Sequence, residues 1–280
     1  YWEVEKFKIY LTSGDIAKKM KTLKYHLNLK ELMLDGPKIK SIPEIIFKQG
    51  TLEFFEIGLT DITKIPETIA QCKNLTTIIL DNNFDLKAFP VKPSSFKNLK
   101  TLIITSNGTS YFGTNEIKYF DTNEFGYYYF PDLEGLNKLE TLKLSQSTRN
   151  ISMKSFNKLF FLKNLKYLEI RSALALSDNT FEFPKELGLL TNLEILNLRN
   201  SSISKLPKSI KNLTKLHKLN LHNTPVTDLP KEIERLTGLE KIYVGGWDIK
   251  PYNNKKVAKR LKNMVKKLPD LDIIYDKVDN

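Results

Sequence analysis

Two adjacent segments of this chain align residue for residue, and this repeat constrains the fold more than any other feature. The segments are LTNLEILNLRNSSISKLPKSIKNL and LTKLHKLNLHNTPVTDLPKEIERL. Both contain L-x-x-L-x-L, a short polar turn, and then L-P-x-x-I-x-x-L. Because one such unit cannot bury its own apolar side, the repeat predicts a stack of units, a solenoid. The same frame begins at Leu29, Leu52, Leu75, Leu99, Leu139, Leu165, Leu193, Leu216 and Leu239.

Each unit has two halves with different periodicity. In L-x-x-L-x-L the alternating leucines point inward from a short strand, and the residues between them point outward. The proline opens a tight turn or short helix, after which Ile and Leu at three-residue spacing return to the core. The pattern therefore predicts one strand and one tight turn or short helix per unit.

This pattern resembles the leucine-rich repeat family along nearly the whole chain. Four of the intervals between the repeat starts are 23 residues, which is most similar to the short class of bacterial and intracellular proteins. The resemblance implies an α/β fold: a curved solenoid with a parallel sheet on the concave face, short helices or 3-10 turns on the convex side, and helical end caps. We expect a single domain over 1–280, with a cap or degenerate repeat at 1–28, repeats over 29–249 and a cap at 250–280.

One position departs from the resemblance. Three residues after the last strand leucine, the family usually has an asparagine that joins a hydrogen-bond ladder between coils, and two of the nine positions, Asn83 and Asn107, keep it. Ser and Thr at other coils can substitute in part through their hydroxyls. Pro37, Ala173 and Trp247 cannot, so we expect local irregularity there.

The two ends of the chain predict covering elements. The segment WEVEKFKIYL predicts a first strand, and apolar residues from Ile16 to Leu27 predict a helix after it. Near the C-terminus the sequence predicts a helix with one apolar face and Lys or Arg elsewhere. A nucleic-acid or membrane patch is the alternative for these cations, but aromatic residues are not interleaved with them, which favours a solvated capping face. The apolar face comprises Val257, Leu261, Met264, Val265 and Leu268.

The segment over 107–131 is an insertion with nine Tyr and Phe. The lengthened repeats are consecutive and lengthen in the turn after the strand, so their insertions predict one ridge. Its aromatic residues exceed what the core can hold, since Leu102, Ile104, Phe130 and Leu133 fill the frame. The aromatic residues either form a satellite core or present tyrosines as anchors for a partner. The candidate anchors are Tyr111, Tyr119, Tyr127, Tyr128 and Tyr129.

Outward-facing strand positions form a second candidate surface. In the first half of the chain they are apolar and acidic, and in the second half they are basic and rich in amides. Exposed strand positions are polar in most proteins, so this difference has a trivial interpretation too. The sharper interpretation is a partner that is acidic where it meets the later repeats. The candidate contacts are Lys143, Glu169, Arg171, Asn197, Arg199, Asn220, His222 and Tyr243.

Composition and motifs argue against several classes of chemistry. The 44 Lys and Arg exceed the 32 Asp and Glu, giving a net charge of +12, but lysine is spread along the chain rather than clustered. Cys72 is the single cysteine and occupies a core position of the frame, which predicts a buried, inert thiol. The three histidines lack companions at metal-ligand spacing. The sequence shows neither a catalytic constellation nor a transmembrane segment, and we expect no enzyme activity, cofactor or metal.

These observations predict a monomeric module that recognises a protein or peptide of acidic character and does not bind nucleic acid. The resemblance also implies a role in bacterial surface or host interaction. Two alternatives stay open: a receptor for a carbohydrate or another small polar ligand, and the recognition part of a larger multidomain protein. The sequence leaves the compartment undetermined, with an exported or cell-surface bacterial protein favoured over a cytoplasmic one.

Overall fold

The computed structural model forms two compact units, Tyr1–Leu139 and Glu140–Asn280. In each unit the chain runs in stacked coils whose strands pair in parallel. The fold of the chain is the predicted leucine-rich repeat solenoid. The structure describes residues 6–10, 28–37, 39–83, 86, 91, 95–105, 133–145, 157–171, 181–245 and 255–275.

The first unit contains a parallel sheet of five described strands in the order β1-β2-β3-β4-β5. Successive strands pair without a register shift, so Leu32, Phe55 and Ile78 are direct partners. Each is at most 1% exposed, because alternation sends these side chains into the core. The elements are β1 Lys6–Tyr10, β2 Glu31–Asp35, α1 Ile45–Lys48, β3 Phe54–Gly58, a 3-10 helix Glu67–Gln71, β4 Thr77–Asp81 and β5 Thr101–Thr105.

The second unit contains a parallel sheet of six described strands and a two-stranded sheet. The smaller sheet pairs Phe181–Glu182 with Ile203–Lys205, and a bridge from Lys205 to Asp228 continues it into the next coil. This second sheet was not predicted from the sequence. The strands are β6 Thr141–Ser145, β7 Tyr167–Arg171, β8 Phe181–Glu182, β9 Ile195–Asn197, β10 Ile203–Lys205, β11 Lys218–Asn220, β12 Lys241–Val244 and β13 Asp272–Tyr275. The helices are α2 Lys255–Lys267 and 3-10 helices Leu159–Phe161, Lys185–Leu189, Lys208–Asn212 and Lys231–Arg235.

The repeated prolines begin 3-10 helices, as the sequence predicts. Pro66, Pro184, Pro207 and Pro230 each stand directly before one. Proline suits this position because its fixed φ is compatible with a helix start and its missing N–H would have no partner there. The Pro207 carbonyl accepts the N–H of Ile210 at 3.1 Å, and this isoleucine is fully buried.

Adjacent 3-10 helices approach closely at Gly188. A Cβ atom on this residue would lie 2.6 Å from Cβ of Ser209 and 2.7 Å from the Ser209 carbonyl oxygen. These distances are too short for any side chain, so a glycine is needed where the two coils meet.

A left-handed residue follows four of the described strands. Leu59, Asn82, Asn200 and Asn223 have φ between 51° and 59°. In this conformation each N–H donates to a carbonyl of the next coil, as from Leu59 to Asp81 at 2.9 Å and from Asn200 to His222 at 3.0 Å. Asparagine tolerates this region better than other residues with a side chain, whereas a leucine is strained in it.

The ladder position is the residue directly after this left-handed residue. Its side chain makes hydrogen bonds of two kinds. The Oδ1 atom of Asn83 accepts from the backbone N–H and the hydroxyl of Thr60 at 3.2 and 2.6 Å, and its Nδ2 donates to Ile57 at 2.9 Å. The hydroxyls of Ser201 and Thr224 instead donate to carbonyls three residues earlier in their own coils, both at 2.7 Å. The hydroxyls of Ser201 and Thr224 therefore close their own turns, whereas Asn83 and Thr60 link two coils. Ala173 and Trp247 lie outside the described residues.

The chain ends partly match their predictions. Strand β1 pairs with β2 so that Phe7 and Ile9 stand opposite Leu32 and Leu34. The role of 1–28 as a cap or degenerate repeat stays a prediction. The predicted helix after it lies outside the described residues, as does the insertion over 107–131. Ile104, expected in the core beneath that insertion, is half-buried.

Near the C-terminus α2 forms as predicted, and Val257, Leu261, Met264 and Leu268 are buried. The placement of Val265 on this face was wrong, since it is 40% exposed. At about 100° per residue, position 265 is rotated about 80° from Val257, which turns it away from the stripe. Strand β13 then follows α2 and pairs with β12. This strand was not predicted from the sequence, and the role of 250–280 as an end cap stays a prediction.

Candidate recognition surface

The outward positions of the second unit's main sheet lie in register across neighbouring strands. Lys143 stands opposite Glu169, which stands opposite Asn197. Asn197 is then the partner of Asn220, and Asn220 of Tyr243. We call these five residues the middle row. Because the strands are parallel and unshifted, the spacing of the repeat in the sequence places these side chains side by side.

Glu169 is the organising group of the middle row. It is 3% exposed, although its neighbours on this face are half-buried. Its Oε2 atom accepts hydrogen bonds from the hydroxyl of Tyr167 at 2.5 Å and from Nδ2 of Asn197 at 3.0 Å. Its Oε1 atom lies 3.7 Å from Nζ of Lys143 and 4.0 Å from Nη1 of Arg171. A buried carboxylate with two donors and two nearby cations is well compensated.

Tyr167 acts as a fixed donor in this cluster. Burial, and next the hydrogen bond to Glu169, raise the pKa of its hydroxyl to about 12. The phenol therefore keeps its proton at neutral pH and donates it to the carboxylate. Tyr167 was missed by the sequence analysis, although its position two residues before Glu169 on the same strand places it on the same face.

Asn197 and Asn220 of the middle row accept hydrogen bonds from the turns that carry the candidates Arg199 and His222. Oδ1 of Asn197 accepts the N–H of Arg199 at 3.2 Å, and Oδ1 of Asn220 accepts the N–H of His222 at 2.9 Å. These side-chain bonds fix the backbone where the strand ends. Arg199 is exposed and His222 is half-buried, so both side chains border the middle row at the same end of their strands.

Tyr243 ends the middle row with an aromatic ring under a cation. Nζ of Lys218 lies 5.1 Å from the centroid of this ring, within the range of a cation–π contact. Lys218 was also missed, since the columns considered from the sequence did not include the first outward position of each strand. The outward positions of this unit carry the cations Lys143, Arg171, Arg199, Lys218 and Lys241 against the anions Glu169 and Asp272.

Strands β2 to β5 of the first unit have the opposite character on the equivalent face. They carry carboxylates and no cation at outward positions. The Asp81 carboxylate accepts from the Thr105 hydroxyl and from Nδ2 of Asn82 at 3.1 Å. Half-buried apolar side chains stand among the acids. The acids are Glu31, Asp35, Glu56 and Asp81, and the apolar residues are Met33, Phe54, Ile79 and Ile103.

The aromatic candidates of the insertion lie outside the described residues, so their role as anchors stays a prediction. They are Tyr111, Tyr119, Tyr127, Tyr128 and Tyr129.

Other chemistry is sparse in the part of the chain that the structure describes. Cys72 is fully buried, its thiol donates to the Phe47 carbonyl at 3.5 Å, and burial raises its pKa to about 11. This confirms the predicted burial of the thiol, and the raised pKa disfavours the thiolate that a nucleophile needs. Among the described residues we find neither three or more His, Cys, Asp or Glu grouped as metal ligands nor a helix with the length and apolarity that a membrane crossing requires.

Comparison with known proteins places the chain in a family. A family model described as leucine-rich repeat region matches residues 121–280. Receptor-like protein 34 of Arabidopsis thaliana is 29% identical over 209 residues, which are 66% of this chain and 21% of that protein. The chain thus spans about a fifth of the length of this relative.

Two solved structures are similar to this chain. A leucine-rich repeat protein of Leptospira interrogans is 19% identical with a TM-score of 0.31, and the match covers 95% of this chain and all of the other. The leucine-rich repeat domain of the type III effector XopL is 19% identical with a TM-score of 0.47, and the match covers 95% of this chain and 84% of that one.

The family model covers more than half of the chain, and the matched residues include every strand of the second unit. The parallel strands and the proline-led 3-10 helices of the chain both come from one sequence unit that recurs along it. The chain belongs to the leucine-rich repeat family.

Proposed function

We propose that this chain recognises a protein or peptide through the outward face of strands β6 to β12, and that the partner contributes carboxylates. Leucine-rich repeat domains are generally protein-interaction modules. The observation that carries the proposal is the charge of this face, where the outward positions of β6 to β12 carry five cations and one buried, internally bonded carboxylate. Such an excess of donors favours an anionic partner and speeds its encounter.

Each candidate residue has a different role in this proposal. Lys143, Arg171 and Arg199 bind carboxylates, with the arginines suited to two-point contacts. Asn220 supplies an amide whose Nδ2 donates no hydrogen bond to another described residue. Tyr243 supplies a half-buried aromatic surface of the kind that dominates interface energies.

The remaining members of the middle row support these contacts. Glu169 and Asn197 form hydrogen bonds with other residues of this chain, and these bonds hold their neighbours in place. His222 borders the face beside Arg199. We propose a binding function without catalysis, for which the fold is a typical scaffold.

A small polar ligand finds less support in the part of the chain that the structure describes. A cavity beside Val257, lined also by Leu221 and Val226, has a volume of about 20 Å³. That space holds about one water molecule and excludes a sugar ring. Its lining is mainly apolar, whereas the outward face is open and polar, which favours a protein or peptide over a carbohydrate.

A binding titration tests the proposal. A fluorescein-labelled peptide of alternating glycine and glutamate is added to the full chain, and its anisotropy is measured at low salt and at about 0.15 M salt. We expect the double variant Arg171→Ala/Arg199→Ala to bind at least about tenfold more weakly than the unmodified chain.

The matched control is Lys208→Ala/Lys211→Ala, which removes the same charge from an exposed 3-10 helix. It should retain its affinity at about 0.15 M salt, where long-range attraction is screened. Equal weakening of both double variants would show attraction by net charge alone and contradict the proposal. An unlabelled DNA oligomer that displaces the peptide from the control and the unmodified chain alike would instead favour a nucleic-acid partner.

The tyrosines of the insertion form a separate proposal drawn from the sequence. Replacing residues 109–128 by a short turn should leave thermal melting unchanged and remove binding of a natural partner if they are anchors. A cooperative loss of stability would favour the satellite core. The monomeric state and the bacterial surface or host-interaction role also stay predictions.

A further inference from the structure

We infer that Glu169 sets the charge selectivity of this surface, so that Lys143 and Arg171 accept a singly charged carboxylate and disfavour a doubly charged phosphate. The inference rests on the proposed function, since it concerns the same face. It assigns Glu169 a positioning and selectivity role in place of direct contact with the partner.

The geometry leaves the two cations available. Oε1 of Glu169 lies 3.7 Å from Lys143 and 4.0 Å from Arg171, beyond the usual length of a hydrogen bond. Neither cation donates a hydrogen bond to another residue that the structure describes. The side chains of Lys143 and Arg171 are 35% and 39% exposed. Glu169 thus attracts both cations to one place while leaving their N–H groups for a ligand.

The net charge of Lys143, Arg171 and Glu169, the charged cluster, determines which ligand charge is favoured. Two cations and one carboxylate leave a net charge of +1, which one partner carboxylate neutralises. A phosphorylated side chain carries about −1.5 to −2 at neutral pH, so it would leave excess negative charge beside Glu169. Because Glu169 is buried, water screens this repulsion less than it would at an open surface.

The substitution Glu169→Gln removes the negative charge of this residue and can keep its hydrogen bonds. Both hydrogen bonds to Glu169 end on Oε2, and Oε1 accepts none from a described residue. In Glu169→Gln the amide oxygen can take the place of Oε2 and keep the bonds from Tyr167 and Asn197. The NH₂ group then replaces Oε1, and the cluster charge rises by one.

The experiment compares two capped peptides that are identical except for one central glutamate or phosphoserine. Each is titrated into the isotopically labelled full chain, and the affinity is taken from the NMR shift of the Asn197 side-chain amide. We expect the unmodified chain to bind the glutamate peptide at least as tightly as the phosphoserine peptide. We expect Glu169→Gln to shift the ratio of the two affinities about tenfold towards phosphoserine.

The control is Glu182→Gln, which removes an exposed carboxylate paired with Lys205 on the smaller sheet. It should leave the ratio unchanged. A ratio that is equal in Glu169→Gln and the unmodified chain would overturn the inference, as would tighter phosphoserine binding by the unmodified chain. The second outcome needs no variant, so the inference stays testable even if Glu169→Gln does not fold.

Failure of the proposed function gives a different result. In that case neither peptide shifts the Asn197 signal, and the Arg171→Ala/Arg199→Ala variant binds acidic peptide as its lysine control does. Failure of the inference alone leaves this arginine dependence intact and abolishes the change in ratio.

Discussion

Glu169 and Asn197 are direct partners on adjacent strands, and Oε2 of Glu169 accepts a hydrogen bond of 3.0 Å from Nδ2 of Asn197. The same oxygen accepts the Tyr167 hydroxyl. The repeat thus builds a polar network into the face of a sheet whose other side is apolar. Such a network stabilises the fold when each member has its partner and costs stability when one is removed.

The substitution Glu169→Ala tests this network through stability. It leaves the Tyr167 hydroxyl and the Asn197 amide without their acceptor and removes the charge that compensates Lys143 and Arg171. We expect the free energy of unfolding in urea to fall by about 2–4 kcal/mol. Glu169→Gln removes the same charge but can keep both hydrogen bonds, so its loss should be about 1–2 kcal/mol smaller than that of Glu169→Ala. Equal losses for the two variants would contradict the network.

Asn83 should be the most costly polar residue of the ladder position. Asn83→Ala removes bonds to the N–H and hydroxyl of Thr60 and to the Ile57 carbonyl, so it should lower the free energy of unfolding by about 2–3 kcal/mol. Thr224→Ala removes one bond within a half-buried turn and should cost about 0.5–1.5 kcal/mol. The two are compared by chemical denaturation, and a larger loss for Thr224→Ala would refute the link between coils.

Leu59 should be a site where substitution stabilises the protein. Its φ of 52° is strained for leucine, its side chain is 51% exposed, and asparagine occupies the same turn position at 82, 200 and 223. We expect Leu59→Asn to raise the free energy of unfolding by about 0.5–1 kcal/mol. Leu59→Ala keeps a Cβ in the same conformation and should not stabilise. A gain in melting temperature for alanine alone would assign the effect to side-chain exposure.

Stability at acidic pH should depend on Glu234, which joins α2 to the 3-10 helix before β12. Hydrogen bonds from Lys267 and Arg260, both 2.5 Å, lower the pKa of Glu234 from 4.5 to about 2. A carboxyl with a lowered pKa stabilises the folded state above its unfolded pKa, and this contribution disappears as the pH falls from about 4.5 to about 2.

Urea unfolding at several pH values across that interval measures the effect. Glu234→Gln should be less stable than the unmodified chain at neutral pH, and the difference between them should shrink as the pH falls towards 2. Glu182→Gln, which removes one partner of an ion pair with both side chains 62% exposed, should follow the unmodified chain. A constant difference between Glu234→Gln and the unmodified chain would exclude titration of Glu234 as its cause.

The structure of each coil is predicted well from the sequence because the spacing of its apolar residues is a local pattern. The inward leucines, the proline-led 3-10 helices and the register of β1 with β2 all follow from alternation and spacing. Val265 was misplaced because an apolar residue four positions after Leu261 fits a broad stripe, although the rotation of the helix carries it out of contact. Strand β13 was missed because the segment DIIY lacks the leucine frame that marks the other strands.

The sequence predicted which residues of the candidate surface lie side by side, but it predicted their hydrogen bonds and burial less well. The columns placed Lys143, Glu169 and Asn197 together, and the register of the strands agrees. The burial of Glu169 depends on which neighbours bond it, and Tyr167 lies in a different column from the middle row. Ser201 and Thr224 show the same limit, since a hydroxyl at a ladder position has acceptors in two coils and the sequence does not say which it uses.

The most direct test of the account locates the contact of an acidic partner. The peptide of alternating glycine and glutamate is titrated into the labelled full chain, and the side-chain amide signals of Asn197, Asn220 and Asn263 are followed by NMR. Asn263 lies on α2 among exposed lysines and reports on the competing cationic surface. The account predicts saturable shifts of the Asn197 and Asn220 signals with Asn263 unmoved; shifts of Asn263 alone would contradict it.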